Sequence, residues 1–165
     1  MILQLFGACL LIAAFAVVGI GRSRQCEERR NALRAFCVFL RDSAEKMTQT
    51  RAAKDQVYQE YRDEYLEKIG FLPLLRRNAA NVDAVQLSIS ELSRDCPLKS
   101  HDLEPLSFLD SYGTADFCEE EKNRMDIAQN KMKKILDAAE KTAGNGRPVF
   151  WIWLLLGFGV VLMLW

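Results

Sequence analysis

The chain is 165 residues long, half of them hydrophobic, with 22 lysines and arginines against 22 aspartates and glutamates and a formal net charge of zero. That balance, with no basic stripe running through the middle, argues against a nucleic-acid partner. One histidine and five cysteines without a Cys-x-x-Cys pair leave no zinc-finger pattern, and a reducing compartment would keep those cysteines as thiols.

Every charged side chain lies between Arg22 and Arg147. The first end, residues 1–21, is interrupted only by Gln4 among its polar residues and would reach about 30 Å as a helix, the hydrocarbon thickness of a bilayer. A charge at the bilayer centre costs roughly 3 kcal/mol, so an end without one is expected to be an N-terminal transmembrane helix. Ala14-Phe15-Ala16 is spaced like a signal-peptidase site, but no basic region precedes the apolar run, so a retained anchor is expected. Cys9 after Gly7-Ala8 is read as a lipid-facing thiol, since the chain before it has no room for the apolar part of a lipoprotein signal. The positive excess follows the run, at Arg22, Arg24, Arg29, Arg30 and Arg34, and holds that side in the cytoplasm.

Leu33, Phe36, Cys37, Leu40, Ala44 and Met47 recur at helical spacing and continue the first helix out of the membrane. Val57, Tyr58, Tyr61, Tyr65, Leu66 and Ile69 predict one helix over 52–69, ended by Gly70. The tyrosine stripe is read as core. Phe71-Leu72-Pro73-Leu74-Leu75-Arg76-Arg77 follows as an apolar loop broken by proline and closed by two arginines, and Phe71, Leu72, Leu74, Leu75, Arg76 and Arg77 are the candidate partner-binding residues, with packing onto the bundle as the competing reading. Asn81 or Asp83 can cap a third helix through Val85, Leu87, Ile89 and Leu92, which stops before Pro97. His101 stands in a polar loop and is assigned a solvated or capping role.

Residues 103–112 can make a short helix stopped at Gly113, and Asp116 with Glu119 has capping-box spacing for the longest one. Its seam is Met125, Ala128, Met132, Ile135 and Ala139. Glu119-Glu120-Glu121 suits the dipole of a first turn. Lys131, Lys133, Lys134, Lys141 and Arg147 repeat the positive excess before the second uncharged end, 148–165, expected to be a C-terminal transmembrane helix with Trp151, Trp153 and Trp165 at its interfaces. Across the two spans, Ala13 and Ala14 are expected to pack level with Gly157 and Gly159.

No stretch alternates with β-branched residues at strand length. The expected class is therefore all-α: an antiparallel helical bundle, residues 22–147, between two transmembrane helices. A two-pass protein of the cell membrane with a cytoplasmic central domain is expected. There is no nucleophile elbow, phosphate-binding glycine loop or second histidine, so no enzyme activity, cofactor, metal or small-molecule substrate is expected. Membrane lipid is the expected neighbour of the basic flanks.

Leu5-Phe6-Gly7-Ala8, the arginine-rich approach to a helix of regular apolar spacing, and the long polar helix before a last span together resemble stage III sporulation protein AB. The strongest local likeness is Phe108 to Asp116, where Gly113 and Asp116 stand before the last long helix; the family's tyrosine-glycine and proline-leucine segment is replaced by Thr48-Gln49-Thr50-Arg51. The resemblance covers nearly the whole chain. It implies a noncatalytic scaffold in the secretion-like channel complex joining mother cell and forespore, with a bundle similar to type II secretion platform proteins. Its implied partners are the other membrane components and a cytoplasmic secretion-type ATPase, on the mother-cell side. The alternative from another class is a membrane-anchored extracytoplasmic sensor or ligand-binding module, an architecture that calls for a signalling domain beyond the second span.

Overall fold

The computed structural model describes residues 2–50, 53–92, 96–112, 118–144, 151–152 and 155–159, with the side chains of 2–6, 8, 9, 11, 12, 50, 118, 143 and 144 outside the description. Among these residues all regular structure is helical and there is no strand. The helices are α1 (Ile2–Thr50), α2 (Lys54–Glu60), α3 (Glu64–Lys68), α4 (Phe71–Asn78), α5 (Ala84–Glu91), α6 (Phe108–Ser111) and α7 (Cys118–Gly144), with 3-10 turns at Ser100–Asp102 and Glu104–Ser107. Among the described residues no helix is long and apolar enough to cross a membrane. Several side chains of the expected first span, and all of the second apart from 151–152 and 155–159, lie outside them. So do Gly113, Asp116 and the capping box expected there.

The chain divides into two compact units, residues 31–137 and residues 1–30 with 138–165. In the first, α1 supplies the longest buried stripe: Ala32, Leu33, Phe36, Phe39, Leu40, Ser43, Ala44 and Met47. Their steps of one and three residues, which sum to fours, keep them on one side of a helix with 3.6 residues per turn. Phe39 is the hub. Its ring meets Tyr61 edge-on at 4.9 Å, Phe71 edge-on at 5.5 Å and Tyr58 at 6.5 Å, while Phe36 and Phe71 are 4.9 Å apart. Such edge-to-face pairs add about 1 kcal/mol each beyond the area they bury. Tyr58 and Tyr61 are therefore core residues, as their spacing indicated; Tyr65, on the same stripe, is only half-buried.

The helix expected over 52–69 is two helices. Tyr61 and Asp63 are extended, and the break is stabilised from both sides. Arg62 donates from one guanidinium nitrogen to the carbonyls of Gln59 at 2.5 Å and Tyr61 at 2.9 Å, satisfying the end of α2. Asp63 then accepts the Leu66 amide at 2.8 Å as the N-cap of α3. A stripe of apolar residues survives a single extended turn, which is why periodicity concealed it.

Gly70 has φ of 84°, a left-handed conformation that an L side chain resists, and from it the chain enters α4. This replaces the loop expected at 71–77. Pro73 is the third residue of α4, where the amide hydrogen it lacks would have had no partner within the helix, so proline starts this helix instead of breaking it.

In the second unit, residues 151–152 and 155–159 are helical and Gly157 is buried against α1. A Cβ on Gly157 would stand 3.1 Å from Cδ2 and 3.3 Å from Cβ of Phe15. The residue that Gly157 meets is Phe15. Ala13 and Ala14 are exposed, and among the described residues nothing lies within 4 Å of a Cβ on Gly159.

Candidate functional site

Half of the segment expected to dock a partner is buried in the fold. Phe71, Leu72 and Leu75 are fully buried, so these three offer no surface; α4 turns them inward at positions one, two and five. Arg76 is a bracket within the molecule, donating to the Tyr61 carbonyl at 2.8 Å and to Glu67 Oε1 at 2.5 Å, while its own carbonyl accepts from Gln59 at 3.0 Å. Arg77 is exposed and paired with Glu91, which also accepts from Asn78 at 3.1 Å. Of the six residues, Arg77 is exposed and Leu74 and Arg76 are half-buried.

The structure instead opens a groove of about 870 Å³ between α7 and the α5–α6 region. One wall is α7, presenting Arg124, Ile127, Ala128, Lys131, Lys134 and Ile135 at helical spacing. The other is built from the start of α5 and the turn before α6, with Val82, Asp83, Glu104 and Phe108. Val82 is 72% exposed and Ile127 48% exposed, large apolar surfaces left open in walls that otherwise carry charge. Cations sit on the α7 wall and carboxylates on the other. Arg124 is held by Glu120 at 2.6 Å, one helical turn away, whereas Lys131, Lys134, Asp83 and Glu104 are exposed and have no side-chain partner among the described residues.

Asp110 fixes the geometry of the carboxylate wall. Its Oδ1 accepts the Val85 amide at 2.9 Å and its Oδ2 the Gln86 amide at 2.8 Å, capping α5 from another helix, while the local candidate Asp83 makes no capping bond. Lys54 donates to the Asp110 carbonyl at 2.7 Å, and the Tyr58 hydroxyl donates to the carbonyl of Leu109 at 3.5 Å. Burial pushes the Asp110 carboxyl above the usual range, with the two amides and Lys54 pulling the other way. Burial, with the charge of Asp110 added, also raises the Tyr58 phenol.

His101 lines the same groove, exposed, with Nε2 3.2 Å from Oδ1 of the buried Asp102; Asp102 in turn accepts the Lys99 amide at 3.2 Å. Its surroundings are those of a turn-closing pair, as its loop setting indicated. Among the described residues no three His, Cys, Asp or Glu side chains gather as a metal ion would need.

Lys131 and Lys134 were legible in the sequence only as part of a basic flank. What places them in the groove is their phase with Ile127 and Ile135 on α7; nothing local marks Asp83 and Glu104 as the facing wall. Comparison with protein-family models, with curated proteins and with solved structures gives no match for this chain.

Proposed function

We propose that the chain is a noncatalytic membrane scaffold, an adaptor in a secretion-like channel complex of sporulation that couples a cytoplasmic ATPase to membrane components between mother cell and forespore. One observation carries the membrane part: all 22 basic and all 22 acidic residues fall between two uncharged ends. The approach of Phe15 to Gly157 supports a hairpin, because it joins apolar segments from opposite ends of the chain. The place in sporulation rests on the resemblance of Leu5 to Ala8 and Phe108 to Asp116 to stage III sporulation protein AB. With Asp63, Asp110 and Arg76 spent on caps and brackets, the helical core suits a rigid holder more than a reaction centre.

The test is cysteine accessibility in sporulating cells, using a maleimide that cannot cross membranes against Cys26 and Cys118. Protection in intact cells and labelling after permeabilisation are expected. Labelling from outside would reject the cytoplasmic adaptor and favour the other reading, an extracytoplasmic ligand-binding module, to which the open groove lends its own support. Deletion of the gene is expected to abolish spores, and a normal spore yield would remove the sporulation role.

A further inference from the structure

The groove carries opposite charges on its two walls. Its α7 wall exposes Lys131 and Lys134 beside Ile127, and its opposite wall exposes Asp83 and Glu104 beside Val82. In a two-fold dimer that laid the α7 wall of one copy into the groove of another, the lysines of each copy would face carboxylates of the other and Ile127 would face Val82. Each contact then occurs twice, the signature of an isologous interface.

We propose that this groove is the contact surface of a homodimer, in which each copy's α7 occupies the groove of the other. Three features favour a second copy over a different occupant. Both signs of charge are present and separated by wall, so a ligand of one sign would be repelled by one side. Each wall leaves one large aliphatic side chain open, matched in kind to the other. The four exposed charges have no side-chain partner among the described residues, so association costs no existing ion pair. A single exposed ion pair contributes at most about 1 kcal/mol, but the two-fold axis doubles every pair and closes the aliphatic contacts with them.

The test uses the full chain in a mild detergent, with molecular mass followed by light scattering over a dilution series. The wild type is expected to dimerise. The variant K131E/K134E and the variant D83K/E104K are each expected to weaken the dimer by about tenfold or more, because each sets like charge against like on both sides of the axis. An equimolar mixture of the two variants is expected to recover a dimer with one copy of each, since every cross-wall pair is again of opposite sign. Helical circular dichroism equal to wild type establishes that the variants fold, and Ile127→Glu, on an exposed position, supplies an independent disruption. A monomeric wild type, reversed variants that dimerise unchanged, or a mixture that stays monomeric would each overturn the proposal.

Discussion

Asp110 caps the helix that begins beside Val85, accepting the Val85 amide at 2.9 Å on one carboxylate oxygen and the Gln86 amide at 2.8 Å on the other. Residues 25 positions apart in the chain thereby fix α6 to the start of α5. Asp110→Ala leaves two amides of the first turn without an acceptor and is expected to cost roughly 2–4 kcal/mol, against about 1 kcal/mol for an ordinary cap. Asp110→Asn keeps one acceptor and should lie between the wild type and Asp110→Ala. Urea denaturation of the three proteins checks the order, and equal stabilities would show that the cap is energetically idle.

Tyr61 carries an alkaline limit to stability. Burial first, then the charges of Asp42 and Asp63, push its phenol up to about 12, while Arg41 acts in the opposite sense. The folded value lies above the ordinary 10.0, so the native state keeps a proton that the unfolded chain releases, and stability is lost as pH rises from about 10 toward 12. Tyr61→Phe has no such proton and should lose less stability between neutral pH and about pH 11, with Tyr58 accounting for part of what remains. Parallel denaturant titrations at the two pH values decide it; identical losses would refute the assignment.

Ser43 is fully buried on the core face of α1, and its hydroxyl has no hydrogen-bond partner among the described residues. Such an unmade bond costs about 1–3 kcal/mol, so Ser43→Ala is expected to stabilise the protein by about 1 kcal/mol. A lower melting temperature for the variant would mean that the hydroxyl finds a partner after all.

The Phe15 and Gly157 backbones approach closely enough for a crosslink. A Cβ at 157 lies 3.3 Å from that of Phe15, slightly closer than the roughly 3.5–4.5 Å usual for a disulfide, so with a small backbone shift Phe15→Cys and Gly157→Cys should oxidise in a chain whose native cysteines are replaced. The pair Ala14→Cys with Gly159→Cys should not. Crosslinking of the second pair in preference to the first would restore the register expected from counting residues.

The helical class and the deepest core were legible in the residues themselves. Leu33, Phe36, Leu40, Ala44 and Met47 repeat over four turns of α1, long enough for the period of 3.6 to stand out, and all five are buried. Ala128, Met132 and Ala139 on α7 are buried for the same reason, while Met125 and Ile135 at the edges of that stripe are half-buried. The separation of uncharged ends from a charged middle is likewise a property of the chain alone. A helix of eight residues gives two turns, too few for a period to be distinguished from an apolar loop, and so α4 was read from Pro73 as a break. The break between α2 and α3 was hidden because arginine capping by Arg62 leaves the apolar spacing intact.

The candidate site belonged to tertiary structure almost entirely. Periodicity and capping preferences act within a few residues of one another, and they settle which segments coil and which of their faces are apolar. The inward turn of Phe71, Leu72 and Leu75, the capping of α5 by Asp110 and the sorting of Lys131 and Lys134 against Asp83 and Glu104 all depend on segments distant in the chain. Those encounters are decided by how the faces pack, because only packing determines which polar groups lose water together and must find one another.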